Sequence, residues 1–486
     1  MSTIIGREYE KKQLKKIFDS PSAEFVAVYG RRRVGKTFLI RNFFKNQPCL
    51  FFDVTGIQNE RSAAQIQVFT KSIEESFFQN QVTLKSPKNW RKAFELLTYA
   101  MKKNNQKIVL FFDELPWLAT QKSSFLPSLN YYWNHYWSSM PNVKLIVCGS
   151  AASWMIDHII NSKGGLHNRV TLKLSLEPFT LSETKDYLKH LKFKYLDIQV
   201  LEIYMIVGGI PYYLNFLDPK KSVPQNIDAL FFNKKGPLLN EFNILYSSLF
   251  EDSEAYEEII RIIASKRNGV TRQFILSQAK FSSEGGTFNK RLQALEECGF
   301  ITNFKLYGTL KKGKNYRLID EYSLFYLSWV EPSLPTLKKL DSPHGYWLEI
   351  CQSPAWKSWS GYAFEAVTFK HIIKIEQALK IPPSSLIGSW KFLPPPKSTQ
   401  EGAQIDLLFD RPDQTITLCE IKYTSKPYAL TKSEAQALLK KSTVFEKQTN
   451  PQKHLTWALI TVDKPSETLY YDDVIMGNVS LKDLMK

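Results

Sequence analysis

An α/β protein of several domains is the fold class that the sequence predicts, and three patterns support it. Near the N terminus an apolar segment leads into a glycine-bounded loop and an amphipathic segment, EFVAVYGRRRVGKTFLIRNFF at residues 24–44. Farther along, three helical segments and a short hairpin follow one another between residues 257 and 318. Near the C terminus, residues 405–423 alternate, turn at DRPDQ and alternate again, which indicates a second hairpin.

Length, net charge and cysteine content limit the classes of protein to which this chain can belong. A length of 486 residues allows about three domains at ~150 residues each, and an apolar fraction of 43% indicates packed cores. A net charge of +17 favours a polyanionic partner, and we expect DNA, with RNA left open. Five widely spaced cysteines support neither a disulfide framework nor structural zinc. No signal peptide precedes MSTIIGREYE, and the apolar segment 202–217 is interrupted by polar and proline residues, so we expect a cytoplasmic protein without a membrane span.

The glycine-bounded loop predicts a nucleotide site. Gly30, Gly35, Lys36 and Thr37 match GxxxxGK[ST] between a strand and a helix. The glycines allow backbone N–H groups to surround a phosphate, and the dipole of the following helix adds positive potential. Lys36 is expected to reach the β- and γ-phosphates, and the Thr37 hydroxyl to ligate Mg²⁺. The cofactors predicted here are ATP and Mg²⁺.

Further strands supply the partners that such a site needs. KIVLFFDELPWL predicts a buried strand ending in Asp113, a magnesium ligand through water, and Glu114, which would orient the attacking water. VKLIVCGS predicts a strand ending in Ser150, where a polar group could sense the γ-phosphate. Arg169 precedes another strand and is either an arginine finger for a neighbour's nucleotide, which would require a homo-oligomer, or a structural ion-pair residue. With the strand at 50–56, these elements predict a parallel sheet.

Five motifs together resemble the archaeal-type ATPase family, a branch of the AAA+/STAND ATPases. They are IIGREYEKKQL, the DE pair, CGSAASWM, LEPFTLSE and VGGIPYYL. The resemblance implies that Gly6 and Arg7 lie near the adenine, and that a helical lid begins near Thr180. The unusually basic loop at 31–33 either tightens nucleotide binding or contacts nucleic acid. The expected ATP-binding residues are Gly6, Arg7, Gly30, Arg33, Val34, Gly35, Lys36, Thr37, Phe38 and Ser150.

The middle of the chain predicts a winged helix. Residues 257–279 indicate helix, turn and helix, and residues 285–318 indicate a third helix with a two-stranded wing. We expect Phe288, Leu292 and Leu295 to form the core face of the third helix. Such a module commonly places this helix in the DNA major groove, although it also occurs as an adaptor between domains. The residues predicted to contact DNA are Asn289, Lys290, Arg291, Lys311, Lys312 and Lys314.

The C-terminal hairpin predicts an acidic site. Alternation places Glu420 and Lys422 on one face of a strand, and Asp406 lies on the strand that pairs with it. Glu365 belongs to a preceding helix that would pack on this sheet. Carboxylate oxygens suit Mg²⁺, with Mn²⁺ as an alternative, and Asp406 and Glu420 are the expected metal ligands. The metal would polarise a phosphodiester while Lys422 stabilises negative charge. The alternative is a surface of solvated charges.

GAQIDLLFDR and LCEIKYT resemble the PD-(D/E)xK restriction-endonuclease-like domain that accompanies this ATPase family. The implied organisation is a P-loop, AAA+-like ATPase core at 1–179, a lid at 180–250, a winged helix at 251–330, a linker at 331–344 and the nuclease-like domain at 345–486. The predicted function is a Mg²⁺-dependent ATPase that controls DNA binding and cleavage. The resemblance suggests a role in defence or mobile elements. The alternative is an ATP-driven switch or scaffold whose C-terminal domain binds nucleic acid or protein without cleaving.

Overall fold

The computed structural model describes residues 3–120, 122–161, 166, 168–281, 285–304, 306–308, 314–339, 345–395, 398 and 400–486. These residues group into two compact units. The first comprises Met1–Pro178 and Asn289–Gly299, and the second comprises Phe179–Phe288 and Phe300–Lys486.

A five-stranded parallel sheet organises the first unit, as the sequence predicts. Its strands are β1 (Glu24–Tyr29), β2 (Leu50–Thr55), β3 (Ile108–Asp113), β4 (Val143–Gly149) and β5 (Leu172–Ser175). Their order across the sheet is β2-β3-β4-β1-β5, and every neighbouring pair is parallel. Every residue of β3 and β4 is buried, because parallel sheets are covered on both faces. The carboxyl ends of the strands therefore meet at one edge, where polar side chains can converge.

Helices of the first unit pack around this sheet. They are α1 (Glu8–Asp19), α2 (Lys36–Phe44), α3 (Ser62–Phe78), α4 (Trp90–Lys102), α5 (Leu115–Leu118), α6 (Phe125–His135) and α7 (Ala152–Met155). A 3₁₀ turn at Trp137–Ser139 and a π turn at Ile156–Ile160 extend two of them. Aromatic rings dominate the core on one face: the rings of Trp90 and Phe125 lie 4.7 Å apart, edge to face. Edge-to-face packing of this kind adds about 1 kcal/mol per pair to area burial.

The second unit begins with helices at the predicted lid. They are α8 (Leu181–His190), α9 (Asp197–Val207), α10 (Pro211–Leu214), α11 (Val223–Phe231) and α12 (Glu241–Leu249). Helix α8 starts at Thr180, whose hydroxyl accepts from the Glu183 N–H while the Glu183 carboxylate accepts from the Thr180 N–H. This capping box explains why α8 begins next to Thr180, the residue at which the lid is predicted to begin.

The next elements follow the order expected of a winged helix. They are α13 (Ser253–Ala264), β6 (Val270–Thr271), α14 (Arg272–Gln278), α15 (Gly285–Glu297), β7 (Ile301–Phe304) and β8 (Asn315–Leu318). The three strands form an antiparallel sheet in the order β6-β8-β7. Phe288, Leu292 and Leu295 on α15 are buried, as predicted. The winged-helix assignment itself stays a prediction.

The first part of the predicted linker at 331–344 is helical, and its role as a linker stays a prediction. The chain continues from α16 (Glu321–Phe325) through a π turn at Tyr326–Val330 into α17 (Glu331–Lys339). The prediction rested on the prolines and lysines of EPSLPTLKKLDSPHG, but Pro332 and Pro335 both lie within this helical segment. Leu337 is buried and anchors the helix. Residues 340–344 lie outside the described part of the chain.

A mixed five-stranded sheet forms the C-terminal part of the second unit. The remaining elements are α18 (Tyr346–Ile350), α19 (Pro354–Lys370), α20 (Ile372–Leu379), β9 (Leu386–Phe392), β10 (Ala403–Asp410), β11 (Thr415–Lys422), α21 (Lys432–Thr449), β12 (His454–Thr461), α22 (Leu469–Val474), β13 (Ile475–Ser480) and α23 (Leu481–Leu484). The strand order is β13-β12-β11-β10-β9. The pairs β9–β10 and β10–β11 are antiparallel, and the other two are parallel. The predicted hairpin at 405–423 is therefore confirmed, while the endonuclease-like assignment stays a prediction.

Among the described residues, the longest apolar helices still fall short of what a bilayer crossing requires.

Candidate functional site

The loop between β1 and α2 has the backbone conformation that its glycines permit. Gly30 and Gly35 have φ values of +134° and +93°, in the region that favours glycine. A Cβ at Gly30 would lie 2.4 Å from the carbonyl oxygen of Leu176, so no other residue fits. Lys36 is buried, and its ammonium donates to the carbonyl oxygens of Gly30 and Arg31, each at 2.9 Å. The loop therefore holds a cation at its centre.

Thr37 and Asp113 are brought together at the end of β3. The Thr37 hydroxyl donates to Oδ2 of Asp113 at 2.8 Å. Burial raises the pKa of Asp113 and outweighs the lowering effect of this hydrogen bond. A buried carboxylate beside a hydroxyl supplies the hard oxygen ligands that Mg²⁺ prefers. The donor chemistry at Thr37 and Asp113 therefore fits the magnesium ion of a nucleotide complex.

Glu114 is held in place by Ser150. The Glu114 carboxylate accepts from the Ser150 hydroxyl at 2.6 Å and from its N–H at 3.2 Å. Glu114 also has φ +46°, a left-handed conformation that costs about 1 kcal/mol or more for a residue with a side chain. Strain of this kind concentrates at functional sites. The sequence predicted both residues but not their contact, which gives Ser150 a positioning role.

The other residues predicted to bind the nucleotide lie around this loop, and some are buried while others are exposed to solvent. Gly6 and Arg7 both have positive φ, and the buried Arg7 guanidinium donates to the carbonyl oxygen of Val34 at 3.1 Å. Arg33 has φ +73°, and Phe38 is exposed at the start of α2. Arg7 therefore contacts the phosphate loop through the backbone of Val34.

Arg169 is exposed in the turn before β5. The structure leaves both interpretations of it, arginine finger and ion-pair residue, as predictions.

A second cation, Arg41, lies at the same sheet edge and was not predicted from the sequence. Arg41, one turn after Thr37 on α2, donates through Nε to Asp53 at 2.6 Å and through Nη2 to Thr55 at 2.9 Å. Thr55 pairs with Asp113 across β2 and β3. The helical spacing of four residues from Thr37 is the only signal in the sequence that could have identified it.

The C-terminal hairpin brings the predicted acidic residues together. Leu407 and Cys419 are paired across β10 and β11, and the next residues outward are Asp406 and Glu420. Oε1 of Glu420 lies 2.9 Å from the Lys422 ammonium, so these two residues share one face as alternation predicts. Burial raises the pKa of Asp406, and the negative charge of Glu420 raises it further.

An irregularity in the pairing of β10 with β9 lies at Asp406, which is partly buried. The register with β9 shifts between Ile405 and Leu408, leaving Asp406 and Leu407 within a bulge. Bulges re-aim side chains and are over-represented next to active sites. The sequence carried no clear signal for this bulge.

Glu365 completes the cluster from helix α19. Burial raises the pKa of Glu365 to about 7, and the negative charges of Asp406 and Glu420 contribute to the shift. Three carboxylates therefore lie within electrostatic reach of one another, on two strands and a helix. Mutual repulsion of this kind favours a cation between the carboxylates.

Glu420 already has two lysine partners. Besides Lys422, the Lys441 ammonium on α21 lies 2.7 Å from Oε2 of Glu420. Lys441 was not singled out from the sequence, since it lies in an ordinary basic helix. Among the described residues, no three His, Cys, Asp or Glu side chains are arranged to hold a metal ion as they stand. Carboxylate oxygens suit a divalent cation, but such an ion would compete with Lys422 and Lys441 for Glu420.

The residues predicted to contact DNA are partly described. Asn289, Lys290 and Lys314 are exposed, and Arg291 is half-buried. Lys311 and Lys312 lie outside the described residues. The last part of α15 groups with the first unit, where the thiol of Cys298 is buried and hydrogen-bonded to the backbone of Ala152. Contact of Asn289, Lys290, Arg291 and Lys314 with nucleic acid stays a prediction.

Comparison with known proteins agrees with the geometry of the first unit. Residues 4–217 match the family described as an ATPase domain predominantly from Archaea. An uncharacterized protein of Methanocaldococcus jannaschii is 24% identical over 432 residues, 86% of this chain and 87% of that protein.

Solved structures are similar at lower identity. A Walker-type ATPase of Pyrococcus abyssi is 20% identical, covering 67% of this chain and 96% of its own, with a TM-score of 0.49. The ORC2 protein of Aeropyrum pernix is 13% identical, covering 69% and 95%, with a TM-score of 0.44. The family match and the geometry of the phosphate loop together lead to one conclusion: residues 4–217 carry an archaeal-type P-loop ATPase domain.

Proposed function

We propose that this protein is a Mg²⁺-dependent ATPase whose nucleotide state controls DNA engagement and metal-dependent phosphodiester cleavage by the C-terminal domain. The observation that carries the cleavage proposal is the convergence of Glu365, Asp406 and Glu420 with Lys422. A divalent cation bound by these carboxylates supplies Lewis acidity and lowers the pKa of water. The Lys422 ammonium would stabilise the negative charge that develops on the phosphate.

Contacts between the predicted lid and the acidic site support nucleotide control. The Leu181 N–H of α8 donates to Nε2 of His371, which follows α19. Glu202 of α9 is hydrogen-bonded to Tyr423, the residue after Lys422. A change in the lid would therefore act on both elements that carry the acidic residues. Two-state elements that share contacts with a site are the physical basis of such coupling.

A third contact joins the same regions through a buried charge pair. The Lys370 ammonium on α19 lies 2.7 Å from Oε2 of Glu321, whose carboxylate also borders Gly208 of the predicted lid. A Cβ at Gly208 would lie 2.8 Å from this oxygen. Gly208 of the predicted lid therefore lies against the Glu321 carboxylate that pairs with Lys370 at the end of α19.

Cleavage of supercoiled plasmid with Mg²⁺ or Mn²⁺ tests the proposal. We expect nicking by the wild-type protein, loss of at least ~100-fold in Asp406→Ala, and little change in Asp410→Ala. Asp410 is the matched control, because it lies on the same strand and pairs with Lys453 instead. Equal rates for the wild type and Asp406→Ala would contradict the assignment of the acidic site.

The alternative function is an ATP-driven switch or scaffold with a C-terminal domain that binds without cleaving. The two lysines on Glu420 favour it, because they neutralise one of the carboxylates without a metal. This function predicts ATP hydrolysis that depends on Lys36, with no cleavage of plasmid or single-stranded DNA under any metal condition. ATP hydrolysis measured alongside the plasmid assay separates the two functions.

A further inference from the structure

The predicted winged helix contacts the C-terminal domain beside the acidic cluster. In the turn after α13, Oδ1 of Asn268 accepts from Nε2 of Gln404 at 3.3 Å. The same nitrogen donates to Oδ1 of Asp406 at 3.1 Å. Asp406 is therefore linked to the turn of the predicted winged helix through a single side chain.

The wing contacts the same edge of the C-terminal sheet. Leu306 forms an isolated parallel bridge with Ser389, and the Tyr307 N–H donates to the Ser389 carbonyl oxygen at 2.9 Å. Ser389 is the residue of β9 that faces the bulge at Asp406. The Tyr307 ring also packs on Phe445, with ring centroids 5.2 Å apart. These contacts fix the predicted wing at the position where β10 departs from regular pairing.

Arg267 brings a positive charge to this edge. Its Nη1 donates to the Ser358 hydroxyl at 3.0 Å, and its guanidinium lies 5.6 Å from the ring centroid of Tyr362. Ser358 and Tyr362 lie on α19, two turns and one turn before Glu365. Arg267 is exposed, so its remaining N–H groups are accessible to a ligand.

Arg317 of β8 lies deeper at the same place. Its guanidinium lies 4.5 Å and 5.3 Å from the ring centroids of Phe369 and Phe304. The residue is 5% exposed, and its Nε and Nη1 groups are buried without a hydrogen-bond partner. Within the described part of the chain, no carboxylate comes within ion-pair distance of it. The positive charge of Arg317 lowers the pKa of Glu365 against the raising effect of burial, so the guanidinium lies within electrostatic reach of the acidic cluster. Its Nε and Nη1 groups keep hydrogen-bonding capacity that no described residue uses.

We propose that Arg267 and Arg317 form the anion-binding side of the acidic site, and that their ligand is a phosphate of the nucleic-acid backbone. This inference rests on the proposed function of the C-terminal domain. Guanidinium groups match phosphate oxygens through paired N–H donors, and they retain their charge when buried. Carboxylates alone repel a phosphodiester, so an acidic cleavage site needs cations on its substrate side. Arg267 makes the outer contact and Arg317 the inner one.

Binding of a duplex oligonucleotide by the full chain in EDTA tests the proposal without cleavage. Each lost phosphate contact lowers the slope of log K against log[salt] by about 0.9. We expect this change in Arg267→Ala and Arg317→Met, with an affinity loss of about 10-fold each. Lys266→Ala is the matched control for the turn, and it should keep both the affinity and the slope. Arg317→Lys should recover part of the affinity.

Thermal unfolding distinguishes a ligand-binding role for Arg317 from a structural one. If the guanidinium serves mainly to bind phosphate, the Tm of Arg317→Met should stay close to the wild-type value, because Nε and Nη1 lose no hydrogen bond. A large fall in Tm would indicate a structural role. An unchanged salt slope in both arginine variants would overturn the proposal. Tighter DNA binding by the variants would also overturn it, because it would mean that the arginines block access to the acidic site.

Cleavage separates this proposal from the proposed function. Wild-type cleavage that both arginine variants retain would overturn the arginine assignment and leave the nuclease function standing. An arginine-dependent salt slope in a protein that never cleaves would support the assignment and reject the nuclease function.

Discussion

The nucleotide site and the acidic site differ in where their charged groups find partners. At the nucleotide site, Lys36 is held by carbonyl oxygens of its own loop, and Glu114 by Ser150. At the acidic site, Asp406 accepts one neutral hydrogen bond and repels the neighbouring carboxylates. The first site is pre-organised by local sequence, whereas the second depends on packing between distant segments. We expect a cation bound to the proposed acidic site to balance this charge and to stabilise the folded chain.

The largest expected effect is at the pre-organised site. Lys36→Ala removes the only ammonium at the centre of the described phosphate loop, and we expect ATP hydrolysis to fall by at least ~100-fold. The free energy of unfolding should change little, because the loop carbonyls that Lys36 occupies can bind water. Steady-state phosphate release measures the effect, with Lys45→Ala at the exposed end of α2 as the matched control. Hydrolysis at the wild-type rate would exclude this loop as the ATP site.

A stability change should follow when the charge pair at the base of α19 is broken. Lys370→Met leaves the Glu321 carboxylate buried without its cation, and the exposed fraction of that side chain is only 3%. We expect the free energy of unfolding to fall by about 3–5 kcal/mol. Urea unfolding measures the change.

Two further variants check the origin of that loss. Lys357→Met, at an exposed position of the same helix, should have little effect. The double variant Lys370→Met/Glu321→Gln should recover most of the loss, because no buried charge remains. A double variant as unstable as the single one would show that packing of the Lys370 stem matters more than its charge.

Acid should weaken the junction between the predicted lid and α19. Burial lowers the pKa of His371 from 6.5 to about 4, and the charges of Lys370 and Lys374 lower it further. At His371 the unfolded chain binds more protons than the folded chain between these pH values, so the contribution of His371 to stability falls as the pH drops from ~6.5 to ~4. The raised pKa of Glu365 acts in the opposite direction, so the effect of His371 is the difference between the wild type and a His371 variant. The loss should approach about 3 kcal/mol, and no effect is expected above pH ~7.

Urea unfolding as a function of pH measures this loss. His371→Gln removes the titrating group, so its stability should depend less on pH over the same range. A difference in stability between the wild type and His371→Gln that stays constant between pH 4 and 6.5 would contradict the role of His371.

The smallest effect is expected within the acidic cluster. Glu365→Gln removes a repelling carboxylate, so the free energy of unfolding should rise by about 1 kcal/mol while cleavage is lost. Glu376→Gln on α20 is the control, with neither effect expected. Calorimetric unfolding in EDTA measures the change. A destabilised Glu365→Gln variant would mean that the three carboxylates do not repel one another in the folded protein.

The two sites also differ in how far the sequence predicted them. Lys36, Thr37, Asp113 and Glu114 follow strand ends in recognisable motifs, and their geometry agrees with the prediction. The helix at Glu331–Lys339 was not predicted, because the proline content of the segment obscured the pattern that buries Leu337.

The missing parts of the acidic site were long-range. Lys441 and Arg317 approach it from segments 21 and 103 residues away from Glu420, and neither has a local motif. The bulge at Asp406 is likewise a property of strand pairing that periodicity does not encode. Local motifs therefore identify the nucleotide site, and only the fold identifies the full acidic site.

The rate of plasmid nicking with and without ATP, in the wild type and in Lys36→Ala, tests the central claim most directly. The claim is that the nucleotide state of the first site controls cleavage at the second. We predict metal-dependent nicking whose rate changes with ATP in the wild type and does not respond to ATP in Lys36→Ala. Nicking at one rate in all four conditions, or none in any of them, would contradict the claim.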